Sequence, residues 1–117
     1  MRKGHFIISL IVLMAFMAVP AFAKELKDMV FGKVPYTMAH AYHQAHVKHM
    51  VAYAEKKYGI EVKVIDGETT NDGTLAGVET FLSQGVDGIM VHCNDPKVMD
   101  QLSRMGHKAN IPVNSFF

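Results

Sequence analysis

The chain has 117 residues, with 12 lysines and arginines against 11 aspartates and glutamates, and half of its residues are hydrophobic. Near-neutral charge without a basic cluster excludes an electrostatic footprint for nucleic acid and a basic amphipathic helix for a membrane surface, and favours a small uncharged ligand or a protein partner. The single cysteine, Cys93, excludes an internal disulfide, so the fold must be held by its core.

Residues 1–23 read as a cleavable secretory signal peptide. Arg2 and Lys3 give a positive start, Phe6 to Val19 is an almost unbroken apolar run, and Ala21-Phe22-Ala23 is an A-x-A cleavage site behind Pro20. The run is shorter than the ~20 residues that a membrane span wants. No cysteine near the cleavage site suits a lipid anchor, and a short anchor that is never removed is the alternative. Export to the periplasm is therefore expected, with a mature chain of residues 24–117 carrying 10 basic against 11 acidic side chains.

Met29 to Val34 is a mostly apolar stretch stopped by Pro35, which predicts a first strand. From about Met38 to Tyr58, Val47, Met50, Val51, Ala54 and Tyr58 recur at helical spacing, and Gly59 closes that helix. Val62 to Ile65 predicts the second strand, ending in the turn Asp66-Gly67. Asn71 or Asp72 is expected to cap a second helix with Leu75, Val78 and Leu82 on one face, ended by Gly85. Gly88 to Val91 predicts the third strand. Asp95-Pro96 opens a third helix, since proline at the first helical position loses no hydrogen bond, with Val98, Leu102 and Met105 on its face. Asn110 suits the left-handed position after it, and Ile111 to Phe116 predicts a fourth strand.

This β-α-β-α-β-α-β alternation with short connections predicts an α/β three-layer sandwich around a parallel sheet. The sheet is expected in the order 2-1-3-4. There is no internal repeat, low-complexity tract or interdomain linker.

Three segments then carry a resemblance: Ile65-Asp66-Gly67-Glu68, the run Val78 to Val91 containing QGVDGIMV, and Ala109-Asn110-Ile111-Pro112-Val113. Together with the signal peptide they resemble the type I periplasmic sugar-binding proteins, the ribose- and galactose-binding group. The resemblance covers essentially the whole mature chain. It implies a non-enzymatic protein of two α/β lobes that closes on one sugar or polyol and delivers it to the permease of an ABC importer. Residues 24–117 would then be the N-terminal lobe of such a fold, incomplete, with the hinge and second lobe outside the sequence, and a monomer is expected. The alternatives are a ligand-binding component of a sensing or chemotaxis system and, in a different class, a His-rich periplasmic metal-binding protein.

In open parallel sheets ligands sit beyond the strand carboxyl ends where the strand order reverses, which selects Tyr36 to His43 and His92 to Asp95. In the resembling family, the position of His40-Ala41-Tyr42-His43 commonly holds a polar residue, a proline and two aromatics that stack on the sugar. Ala41 and His43 depart from that pattern. A flat ring suits the C–H face of a sugar, so Tyr42 and His43 fit the task; the same residues also suit plain packing at a helix start. His92 falls where the family often hydrogen-bonds its ligand, and Asn94 is close by. The expected ligand contacts are Tyr36, His40, Tyr42, His43, His92 and Asn94, with Asp95 a helix cap and Cys93 a small buried hydrophobe.

The series His40, His43, His46, His49 invites a metal reading, but steps of three drift by roughly 60° around a helix, so the four diverge. No metal and no other cofactor is expected. G-x-G-x-x-G, P-loop and G-x-S-x-G patterns are absent, and so is a helix-turn-helix leader for a sugar-responsive repressor.

Overall fold

The computed structural model describes residues 23–115. The signal segment before Ala23 and the end of the expected fourth strand, Phe116, lie outside the described residues. After a 3-10 turn at Leu26–Asp28 come β1 (Val30–Val34), α1 (Ala41–Tyr58), β2 (Glu61–Val64), α2 (Asn71–Gln84), β3 (Gly88–Val91), α3 (Pro96–Ala109) and β4 (Val113–Ser115). One sheet holds all four strands in the order β2-β1-β3-β4, and every pair is parallel. The chain moves one way across the sheet from β1 to β2 and the other way thereafter. Right-handed crossovers therefore put α1 on one face and α2 with α3 on the other.

The core fills the α2/α3 side: Val34, Val78, Phe81, Val86, Ile89, Val91, Val98 and Leu102 are all buried there. Alternation along β1 turns Gly32 and Val34 to this side. Gly32 is required because a side-chain carbon there would lie 2.5 Å from the Phe81 ring. Phe31 and Lys33 consequently point towards α1.

Several boundaries depart from the expected ones, each because a distant group claims a local one. β1 begins at Val30 and β2 at Glu61, where pairing starts. α1 begins at Ala41 rather than Met38, because the Met38 amide donates to the Asp66 carboxylate and the Ala39 amide to the Thr37 hydroxyl. Thr70, not Asn71 or Asp72, caps α2: its Oγ1 accepts from the Gly73 amide at 2.9 Å, while the Asn71 side-chain amide donates across to Asp95. α2 buries Thr74, Gly77, Val78 and Phe81, leaving Leu75 and Leu82 half-buried at its margin. Gly77 makes this face fit, since a side-chain carbon there would be 3.2 Å from both Val34 methyls. Among the described residues, β4 pairs with β3 over Val113–Ser115. The helix ends match expectation, with Gly59, Gly85 and Asn110 all left-handed.

Candidate functional site

Val34 of β1 pairs with Val91 of β3, and the His92 amide donates to the Val34 carbonyl at 2.9 Å. The two strands thus release their loops side by side at the point where the sheet order reverses. Tyr36 and His92 come out with ring centroids 5.9 Å apart. His43, in the first turn of α1, closes the group: it meets His92 edge to face at 5.0 Å and lies 6.4 Å from Tyr36. Asn94 hydrogen-bonds the His92 ring. Tyr36, His43 and His92 are half-buried and form one cluster.

The other expected contacts sit on its rim. His40 is exposed, with its ring 6.5 Å from His43. Tyr42, 70% exposed, stands edge-on to His43 and stacks on His46. Asp95 takes the capping role, accepting from the Lys97 and Val98 amides, and these two bonds foremost hold its carboxyl below the usual range. Cys93 is buried. By contrast, the start of α1 carries no side-chain cap and no acidic residue in its first turn.

The Tyr36 loop is clamped from below. Ile65, Gly67 and Thr69 amides donate to the carbonyls of Lys33, Pro35 and Tyr36. One oxygen of Asp66 accepts from both Met38 and Glu68 amides. Glu68 and Thr69 are left-handed, at φ 55 and 62, which for a β-branched residue costs roughly 1–2 kcal/mol and persists because these bonds over-determine it.

Two residues outside the expected set of ligand contacts adjoin the cluster. Lys33 is fully buried on the α1 side, and burial lowers its ammonium pKa to about 8. The signal was available: a lysine inside the apolar run Val30-Phe31-Gly32-Lys33-Val34. His46 lies one turn beyond His43. Burial first, then Lys33 and His43, push its pKa down. His92 is lowered by burial, then by His43 and Lys33, and less by His46, while its bond to Asn94 works the other way.

The lysine has a measurable consequence. Its folded pKa lies below its ordinary value, so folding favours the neutral amine, and the penalty is full below about pH 8 and relieved as pH rises towards 10.5. Lys33→Met should therefore be the more stable protein at neutral pH. The gap in melting temperature should narrow as pH climbs above about 8; a gap that stays constant with pH would refute this account.

The histidine series diverges in the structure: His43 turns to His92, His46 stacks on Tyr42, and His49 is exposed. Among the described residues no group of three His, Cys, Asp or Glu side chains is placed to hold a metal ion, and no helix is long and apolar enough to cross a membrane.

A family model described as the periplasmic binding protein domain matches residues 31–117. The chain belongs to this family. The solved structures similar to this periplasmic binding protein domain include a solute-binding protein from Burkholderia graminis in complex with D-arabinose. It is 22% identical with a TM-score of 0.72, over 81% of this chain and 32% of the other. A second, from Agrobacterium vitis with bound allitol, is 22% identical with a TM-score of 0.68, over 78% and 31%. A third, from Bacillus halodurans with bound myo-inositol, is 22% identical with a TM-score of 0.67, over 80% and 32%. The domain spans about a third of each of these chains. No curated protein matches it. The resemblance to periplasmic sugar-binding proteins is thus borne out in family and fold, and the family is one of binding proteins rather than enzymes.

Proposed function

We propose that the domain forms one wall of a cleft that captures a sugar or similar polyol for an ABC importer. The observation that carries this reading is the convergence of Tyr36, His43 and His92 beyond the carboxyl ends of β1 and β3. His43 and Tyr42 offer ring faces to the apolar side of a sugar, and His40, His92 and Asn94 offer hydrogen bonds to its hydroxyls. The bound D-arabinose, allitol and myo-inositol of the similar structures support a ligand of this size and chemistry. In this reading residues 24–117 act as the N-terminal lobe, and the permease meets the protein in the periplasm.

Titration of the chain with pentoses, hexoses and polyols, followed through the His43 and His92 ring resonances, tests the proposal. Saturable shifts are expected, weakened about fivefold in His92→Ala for the loss of one hydrogen bond of ~1 kcal/mol. Unchanged resonances across the whole panel would overturn it.

Export follows from the same reading. Mass spectrometry of periplasmic extract should find a mature chain beginning at Lys24, as the A-x-A rule requires. An intact, membrane-bound precursor as the dominant form would contradict it.

A further inference from the structure

We propose that a second cleft, between α1 and the side of β3 and β4 that faces it, binds an aromatic carboxylate, a flat apolar ring carrying one anionic group, independently of the Tyr36, His43 and His92 cluster. Parallel sheets are covered on both faces. Here α2 and α3 share one face, while α1 alone serves the other and packs over β2. Among the described residues, β3 and β4 are left without a helix on that side.

The uncovered strip is a cleft of about 350 Å³. Met50, Tyr53 and Tyr58 of α1 form one wall, and Phe31 of β1, Met90 of β3 and Asn114 of β4 form the rest. Pairing of Met90 with Asn114, beside Lys33, sets this face by alternation along each strand. Gly88 shapes the floor: a side-chain carbon there would lie 2.7 Å from Phe31 Cε1, so its absence lets the Phe31 ring reach over β3.

The lining selects the ligand. A volume of this size suits one small molecule, and two thioethers with three aromatic rings favour an aromatic ring over a flexible aliphatic chain. Tyr53 and Tyr58 stand edge to face at 6.0 Å and are still 56% and 42% exposed, so ring surface remains to be covered. A cationic ligand is disfavoured because Lys57 Nζ already stands over both rings, 5.1 and 5.5 Å from their centroids. That ammonium donates one hydrogen bond, to Tyr53 Oη at 2.7 Å, and has three donors to give. Among the described residues no carboxylate pairs with it. Glu55 and Glu61 border a different depression, with Val51 and Gly59. Asp87, just before β3, is taken by Lys24 and the Val30 amide. A carboxylate at the rim therefore meets a cation with donors to spare, while Asn114 offers an amide from the opposite wall.

The test titrates the full chain with 2-naphthoate, its neutral amide 2-naphthamide, and octanoate, an aliphatic carboxylate. The methyl resonances of Met50 and Met90 are the readout, and the His43 and His92 rings are the control. Saturable methyl shifts are expected with 2-naphthoate, with the His43 and His92 rings unmoved. It should bind about fivefold more tightly than either comparison ligand. Because Lys57 is exposed, the margin over the amide should shrink as salt rises from about 0.1 M to about 1 M. Lys57→Gln should remove that margin and leave 2-naphthamide binding unchanged; Lys57→Arg should keep it. Equal binding of acid and amide, or of 2-naphthoate and octanoate, overturns the proposal, as does an absence of saturable shifts. Met50 and Met90 shifts that follow protein concentration without ligand would assign the face to a second copy of the chain and overturn it too. None of these outcomes bears on the sugar site, whose own titration reads different resonances.

Discussion

Phe81→Ala is expected to cost about 3–5 kcal/mol, the range for removing a fully buried phenylalanine. Phe81 is 1% exposed and sits at the meeting point of α2 with β1 and β3, alongside Val34, Val78 and Ile89. Its ring fills the space that Gly32 leaves open, so the neighbour best placed to collapse into the cavity has no side chain with which to do so. Small domains have stabilities of about 5–15 kcal/mol, and a loss of this size removes a large share of it. Urea denaturation followed by circular dichroism measures the effect. A loss under about 1 kcal/mol would place Phe81 outside the core.

Gly67→Ala is expected to damage stability and the site together. A side-chain carbon at Gly67 would lie 2.6 Å from the Pro35 carbonyl oxygen and 3.3 Å from that of Tyr36, both backbone atoms that move only with the loop. Such overpacking costs about 1–3 kcal/mol. The Gly67 and Thr69 amides hold the Pro35 and Tyr36 carbonyls, so the strain passes directly to the loop carrying Tyr36. The variant should unfold at lower urea and show altered Tyr36 and His92 ring resonances even where it is fully folded. Gly85→Ala is the comparison. It imposes a left-handed alanine, at φ 66, with no atom within 4 Å of the new carbon, and lies at the far end of α2. A similar loss of roughly 1–2 kcal/mol is expected there with the site resonances unchanged. Equal disturbance of the cluster by both variants would show that the clamp does not position Tyr36.

Short-range chemistry was legible in the sequence. The alternation of strands and helices, the left-handed endings at Gly59, Gly85 and Asn110, and the Asp95-Pro96 opening of α3 each depend on groups within a few residues of one another. The strand order and the two loops at its reversal followed once those elements were counted, because right-handed crossovers leave few arrangements. The packing of Tyr36, His43 and His92 against one another was decided by the pairing of Val34 with Val91, which sets two loops side by side that are far apart in the chain.

Tertiary structure alone settled the choices in which a distant partner outbids a local one. Asp66 takes the Met38 amide from 28 residues away and delays α1; Asp95 draws off Asn71 from 24 residues away and leaves the cap of α2 to Thr70. The small surface of Gly77 against Val34 turned α2 onto Thr74, Val78 and Phe81. Lys33 was visible in the sequence as a charge within a strand, but whether it met water or the underside of α1 depended on which way the pleat faced, and that is fixed by Phe81 resting on Gly32.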